Sequence, residues 1–278
     1  MKWSRIWFKI NMKLWRLGNV QKKISRLPVI DRLVGPILYN EENVYATYIP
    51  VGEAIDDLPE SILPYQIIGD FVDRASKRFV LNHCPCRTGN KCGNYPRDIG
   101  CIFLGDAAGD IDPELGRPVS AREAMEHVTT ARGEELIPSI VHSSFDASLF
   151  SIDYRKMLAV CFCCNCCCAF RSDMKKGPVA YRDRIIRLPG LVMTTGGDCA
   201  ACGTCAEACF LGAIELGEEG PVFADFCKGC GRCADACPRG NIHIQLDPAV
   251  DTESIILERI GARTDIRGSG RPDAGTTR

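Results

Sequence analysis

The residues in this chain that can do chemistry are its cysteines. From residue 198 to 238 it reads D-C-A-A-C-G-T-C-A-E-A-C-F and then, after a hairpin-length spacer, F-C-K-G-C-G-R-C-A-D-A-C-P. Each half has the spacing C-x-x-C-x-x-C-x-x-x-C. The leading cysteines, Cys199 and Cys227, lie 28 residues apart, so one supersecondary unit is repeated. Eight thiolates in this arrangement are the ligand set of two [4Fe-4S] clusters. The C-x-x-C steps turn successive thiolates inward around one cubane, while the fourth cysteine begins a helix directed at the other. One cluster is therefore expected on Cys199, Cys202, Cys205 and Cys237, and the other on Cys227, Cys230, Cys233 and Cys209. Two zinc sites are the competing reading. They are disfavoured because zinc ribbons use paired C-x-x-C knuckles with no interleaved fourth cysteine.

The stretch 190–246, about a fifth of the chain, closely resembles the bacterial dicluster ferredoxins. Cys237 is followed by Pro238, as that family's pattern expects, whereas Cys209 is followed by Phe210. The resemblance implies a ferredoxin-like dicluster domain. The departure leaves ligation intact and bears on the second cluster's potential and solvent access, with Phe210 placed to pack over the neighbouring cluster. Gly229-x-Gly231-x-x-Ala234 matches a dinucleotide fingerprint by letter only, since its intervening positions are cluster ligands.

Ten more cysteines form two upstream knots. The first is Cys84, Cys86, Cys92 and Cys101, and the second is Cys161, Cys163, Cys164, Cys166, Cys167 and Cys168. Packing does not explain ten cysteines in two knots, so the favoured reading is one or two additional iron–sulfur clusters. Zinc in one knot and free or regulatory thiols are the alternatives. Six thiolates in eight residues cannot all face one metal, so some must serve a second centre or stay free. Cys163-Cys164 is similar to the adjacent cysteines of non-cubane cluster proteins, whose full spacing is absent. In architecture the whole resembles Cys-rich iron–sulfur proteins of anaerobes.

Both knots follow predicted strands, Arg78–Asn82 and Met157–Phe162, and further strands are expected at Cys101–Leu104 and Leu136–His142. Apolar spacing through Ile67, Ile68, Phe71 and Val72 predicts a helix over Pro64–Ser76. Ser120-x-x-Glu123 is a capping box for a helix that Gly133 closes. Gly89, Gly93 and Gly100 are expected to let the first loop wrap a cofactor. The expected fold class is α+β, in four parts. A basic amphipathic helical segment (1–45) precedes a small Cys-rich α/β module (46–185), the dicluster domain (186–248), and a short helix with a disordered tail (249–278).

The first thirty residues carry eight Lys or Arg and no acid. As a helix over residues 2–17, Lys2, Arg5, Lys9, Lys13 and Arg16 share one sector beside Trp3, Ile6, Trp7, Ile10, Leu14 and Leu17, with Phe8 and Trp15 on the other flank. Gly18-Asn19 is expected to end this helix and Pro28 to open another. A basic stripe beside a Trp-rich face suits an anionic membrane surface. A membrane-bound or other partner subunit, and docking on the protein's own body, are the alternatives. No apolar run is long enough to span a bilayer and no signal peptide is apparent. The net charge of −1 gives no argument for nucleic acid. Clustered cysteines point to a reducing cytoplasm, with the inner face of the cell membrane as the peripheral site, in an oxygen-poor niche.

Two functions follow. One is an electron-transfer protein or subunit passing electrons between redox partner proteins, which needs no acid–base residues. The other is a redox enzyme whose upstream cluster reduces a disulfide or quinone-like substrate, with a pocket beside His83. Arg87 is read either as offsetting cluster charge or as solvated, and His127, His142 and His243 as structural. No catalytic residue, nucleotide loop or hydrolase elbow stands out.

Overall fold

The computed structural model describes residues 2–25, 27, 29, 30, 32, 33, 40, 42–50, 64–177, 179–197 and 199–268. Pro28, the end of the tail (269–278), Asp198 and the side chains of Lys2, Trp3 and Arg16 lie outside the described residues, while residues 29, 30, 32 and 33 after Pro28 are helical. A seven-stranded sheet dominates. Its strands are β1 (Val44–Tyr48), β2 (Arg78–Leu81), β3 (Ile102–Leu104), β4 (Gly116–Pro118), β5 (Ile137–Ser143), β6 (Leu158–Cys163) and β7 (Ile185–Ile186), in the order β4-β2-β3-β6-β5-β1-β7. Every pairing is antiparallel except β1 with β7. The alternation of helix and strand in the sequence suggested an α/β module. Neighbouring strands are nonetheless almost all antiparallel, because consecutive strands such as β1 and β2, or β4 and β5, run in the same direction but are not adjacent, and the architecture is α+β.

Central position explains composition. Strands β5 and β6 each have neighbours on both sides and are buried throughout; β6 reads as a continuous apolar run, whereas β5 also buries Ser139, His142 and Ser143. Helix α2 (Pro64–Arg74) buries Ile67, Ile68, Phe71 and Val72. It packs against α4 (Ala121–Gly133), which lies on β2 and β5. The capping box at the start of α4 is closed: the Glu123 N–H donates to Ser120 Oγ at 3.2 Å, and the Ser120 N–H donates to the Glu123 carboxylate at 2.8 Å.

The ring of His127 on α4 meets Phe162 edge-on with centroids 5.3 Å apart. Side chains alternate along a strand, so Cys161 and Cys163 point to the opposite face of the sheet. On that face lie α1 (Lys2–Ser25), α3 (Pro85–Gly89), α5 (Ser144–Phe150) and α6 (Ala169–Lys176), with α1 packed on the other three.

Helix α1 passes through Gly18-Asn19 instead of stopping there. One interior glycine costs a helix only about 1 kcal/mol, too little to end it. Its Phe8 stacks on Phe150 at 5.4 Å, and Phe150 meets Phe103 of β3 at 4.9 Å. Arg5 pairs with Asp112 at 2.9 Å and with Glu114, and the Trp7 indole donates to the Ser148 carbonyl. One flank of α1 is thus docked on the protein's own body. Ile6, Trp7, Ile10, Leu14 and Leu17 remain exposed.

After α7 (Val179–Arg184), the C-terminal part holds two small antiparallel pairs: β8 (Leu191–Thr195) with β11 (Ile242–Leu246), and β9 (Ile214–Gly217) with β10 (Gly220–Phe223). Two short helices, α8 (Thr204–Ala208) and α9 (Arg232–Asp235), pack on each other, and α10 (Thr252–Gly261) follows. Arg232 ties α9 to the large sheet's connections by donating to the Glu135 carbonyl and pairing with its carboxylate at 3.4 Å.

Phe150 bridges the sheet and α1. Phe150→Ala is expected to destabilise the protein by about 3–5 kcal/mol in anaerobic urea unfolding. It should also make the α1 segment the first site of limited proteolysis.

Candidate metal centres

None of the eighteen cysteines is in a disulfide. In the C-terminal repeat, Cys199, Cys202, Cys205 and Cys237 line one cavity together with Leu216, Pro221 and Ile242. Cys209 instead lies with Cys227, Cys230 and Cys233. Burial raises the Cys233 thiol, and the neighbouring thiols of Cys230, Cys227 and Cys209 raise it further. The two halves match backbone for backbone. Ala201 and Gly229 have φ of 50° and 62°, Gly203 and Gly231 of 81° and 83°, and Gly212 and Gly240 of 65° and 60°, each pair 28 residues apart. This left-handed backbone frees main-chain N–H groups to point at sulfur. Ala201 and Gly229 donate to Cys199 and Cys227, and Ala213 and Asn241 donate to Cys209 and Cys237, all at 3.3–3.5 Å. Such bonds stabilise thiolate and tune a bound cluster's potential.

The ten upstream cysteines sort into two sites, and each site draws on both knots. A cavity roofed by Trp15 of α1 and walled by Phe103, Leu149, Phe150 and Phe170 is lined by Cys84, Cys86, Cys101, Cys161, Cys163 and Cys168, here the six-cysteine cavity, and is bordered as well by Cys164 of the second site. The strand register builds it. Continuing the β3–β6 pairing sets Cys101 opposite Cys161, with their Sγ atoms 3.5 Å apart, and Cys163 lies 3.2 Å from Cys168. Cys84 is the N-cap of α3 and Cys168 the N-cap of α6. Hydrogen bonds from the Cys101 and Cys86 thiols hold Cys84 well below the ordinary thiol range.

The remaining four, Cys92, Cys164, Cys166 and Cys167, bring their sulfurs within 4.8 Å of one another, with Cys166 exposed. The expectation that the second run must divide between centres is met by a specific split. Cys161, Cys163 and Cys168 line the cavity, Cys166 and Cys167 do not, and Cys164 borders both the cavity and the second group. Cys161 and Cys163 lie within β6 itself, not after it.

Two buried arginines decide what these cavities can hold. Arg87 is 1% exposed and donates to the carbonyls of Pro96, Phe162 and Ile99. Among the described residues no carboxylate pairs with it. Burial alone weakens its guanidinium as a base. The nearby sulfurs of Cys84, Cys101, Cys164 and Cys163 outweigh that and hold its charge more firmly than usual. Arg171 is 3% exposed and lies over the Phe210 ring at 4.3 Å and the Tyr48 ring at 5.4 Å. It donates to the Asn165 side chain, while its Nε and Nη2 have no hydrogen-bond partner. Burial is again outweighed, here by Tyr48 and by the sulfurs of Cys230, Cys163 and Cys168, which belong to two different sites. A buried cation without a carboxylate needs another anion nearby. Thiolate-held iron–sulfur groups fit that need at all the cysteine sites flanking these arginines.

Other sequence expectations resolve as follows. Arg87 is not solvated. Gly89, Gly93 and Gly100 do not supply the left-handed turn of the first loop, which falls on Lys91 at φ 52°. Gly89 makes room for Trp15, whose ring a side chain there would strike. Phe210 meets Tyr48 edge-on and lies under Arg171, toward the large sheet. His83 is exposed beside an open depression lined by Cys92, Asn94, Tyr95 and Arg97. His127 and His142 bond to the carbonyls of Gly100 and Tyr154. The sequence reading missed Trp15 as a cavity wall, Arg171, and Asp146, whose buried Oδ2 has no partner. Burial first, and the Cys84 sulfur second, push the Asp146 carboxyl up to about 7.

Among protein families, the 4Fe-4S binding domain matches residues 221–243. Comparison with curated proteins and with solved structures finds no match. The matched domain and the grouped cysteines define an iron–sulfur protein.

Arg87→Met would leave three buried carbonyls without a donor, at about 1–3 kcal/mol each. The expected result is a large loss of soluble protein and of the metal bound upstream. The C-terminal repeat should keep its cluster absorbance. Unchanged thermal stability would contradict the role given to this arginine.

Proposed function

We propose that this protein is an electron-transfer component of an oxidoreductase system. In this reading it carries two ferredoxin-type [4Fe-4S] clusters, on Cys199, Cys202, Cys205 and Cys237 and on Cys227, Cys230, Cys233 and Cys209, and a further iron–sulfur cluster in the six-cysteine cavity. Bound clusters supply one-electron steps without making or breaking substrate bonds. The observation that carries the reading is Arg171, an unpaired buried cation set between sulfurs of the six-cysteine cavity and Cys230 of the repeat. A positive charge there stabilises negative charge on either side of it, and the Tyr48 and Phe210 rings keep water from the intervening space.

The molecule has a graded exposure that suits passage. Cys202 is exposed, Cys227 and Cys233 are buried, and most of the six-cysteine cavity is buried. Around the exposed end, Glu207, Glu215, Glu218, Glu219 and Asp225 are exposed with Leu216 and Val222. That is an acidic rim with an apolar centre, suited to a soluble donor bearing a basic patch. At the other end, Ile6, Ile10, Leu14 and Leu17 of α1 are exposed beside Lys9 and Lys13. We assign this face to the anionic inner surface of the cell membrane. Each lysine near such a surface contributes about 1 kcal/mol, added to apolar insertion. No helix among the described residues is long and apolar enough to cross a membrane.

A second reading, a redox enzyme acting on a disulfide or quinone-like ring, is favoured only by the open depression beside His83. Turnover of such a substrate by the reduced protein, abolished by His83→Ala, would select it.

Cys209→Ala tests the cluster assignment. After anaerobic purification, the EPR signal of the cluster on Cys227, Cys230 and Cys233 should change, and that on Cys199, Cys202 and Cys205 should persist. The reverse pattern would refute the crossover. Wild-type iron should exceed the roughly eight atoms of two cubanes.

The membrane assignment is tested by an Ile10→Glu/Leu14→Glu variant, chosen because deleting α1 would also unroof the cavity. Wild type should float with anionic vesicles in a salt-sensitive way, and the variant should not, at equal iron content. If neither form binds vesicles but only wild type retains a membrane subunit, the face is a protein interface.

A further inference from the structure

Cys92, Cys164, Cys166 and Cys167 are grouped more closely than any other set of three or more cysteines among the described residues, and Cys164 also borders the neighbouring cavity. Their four Sγ atoms all lie within 4.8 Å of one another, and Cys92 and Cys166 are 3.5 Å apart. Four thiolates at about 2.3 Å from one tetrahedral metal ion are about 3.8 Å from each other, so these sulfurs have the spread of ligands to a single ion. A cubane puts an iron corner under each thiolate and holds the four farther apart. The molecule supplies its own comparison. Among the described residues no other set of three or more cysteines closes to within the same limit. That includes both quartets of the C-terminal repeat, whose spacing is that of cubane ligands, and the six-cysteine cavity.

The surroundings are built for such an ion. Cys164 and Cys167 form a C-x-x-C turn in which the Cys167 N–H donates to Cys164 Sγ at 3.2 Å, the kind of turn that presents two thiolates to one metal. Cys92 comes from the other loop, whose position is fixed by Arg97 donating to the Cys92 carbonyl at 2.9 Å. The Asn90 side chain donates to the carbonyls of both Cys86 and Cys167 at 3.0 Å, joining the two loops just behind the sulfurs. Cys166 alone of the four is exposed, so an ion can enter without disturbing the core.

We propose that Cys92, Cys164, Cys166 and Cys167 bind one thiophilic divalent metal ion, zinc or iron, in a tetrahedral four-thiolate site distinct from every iron–sulfur cluster. Tetrahedral sulfur coordination selects these two ions from the common divalent metals. The ion clamps loop 90–97, which follows the helix carrying Cys86, to loop 164–168, which carries Cys168, and both cysteines line the neighbouring cavity. This inference does not depend on the electron-transfer reading, because a redox-silent zinc ion would serve the clamp as well as iron.

The test uses full-length protein purified anaerobically, with metal and acid-labile sulfide counted together. Wild type should hold one equivalent of zinc or iron beyond the iron matched by sulfide, and the metal analysis says which. Cys166→Ser should lose that single equivalent, with sulfide content and cluster EPR signals unchanged. Protein grown with cobalt should show the visible bands of tetrahedral cobalt bound by four thiolates. Cys92→Ser should abolish them. Loss of iron and sulfide together, in equal amounts, from Cys166→Ser would make these residues cluster ligands and overturn the proposal. So would wild-type protein with no metal beyond its sulfide-matched iron. If Cys166→Ser does not fold, the cobalt spectrum of wild type decides, and absence of the tetrahedral bands counts against the site.

Discussion

Positive charge buried without a carboxylate to meet it is the constraint on which this structure turns. Arg87 and Arg171 lie almost wholly out of water, and the groups that hold their charge are sulfurs. Removing a guanidinium from water costs several kcal/mol unless an anion comes with it. The folded state is therefore built around sulfur that is ionised or metal-bound. Arg87 also uses its planar fork to bind three carbonyls from the first loop and β6, which fixes the cysteine loops to the sheet. Chain geometry and site charge are the same problem here, solved by the same side chains.

The two halves of the molecule answer the need for precise thiolate placement differently. In the C-terminal repeat the placement is local. Tight turns at matched left-handed positions aim N–H groups at sulfur, and two short helices complete the unit. Upstream, placement is long-range. Strand register sets Cys101 against Cys161, and helix N-termini bring in Cys84 and Cys168. Phe210, standing where proline is usual in the repeat, forms part of the seam between the halves through Tyr48 and Arg171.

This difference governs how much the sequence disclosed. The repeat was legible because its whole geometry is encoded within 28-residue units, and the capping box at Ser120 and strands β2, β3, β5 and β6 were legible from local pattern. The sorting of Cys161–Cys168 was not. Alternation along β6 gives Cys161 and Cys163 one face, but where Cys164, Cys166 and Cys167 turn depends on Cys92 and Asn90, more than seventy residues away. The strand order was beyond local pattern, because a helix between two strands does not say which other strands will lie between them in the sheet. Arg171 and Asp146 carry no local signal at all, since their importance comes from neighbours brought together by the fold. The flank of α1 bearing Phe8 and Trp15 looked like one face among several. Only the aromatic surface of Phe145 and Phe150 makes it the docked one.

The roof over the six-cysteine cavity has a consequence for the order in which the protein matures. Trp15 leaves the ribosome well before the cysteines it covers at 161, 163 and 168. A cover made first cannot close until its floor has been made. It is held by side-chain packing and ion pairs, not by strand pairing, so its docking can come last. The nascent chain thus keeps an open mouth through which the buried thiols can still be reached. Seating of helix α1 then closes that access, separating an open form of the protein from its finished form.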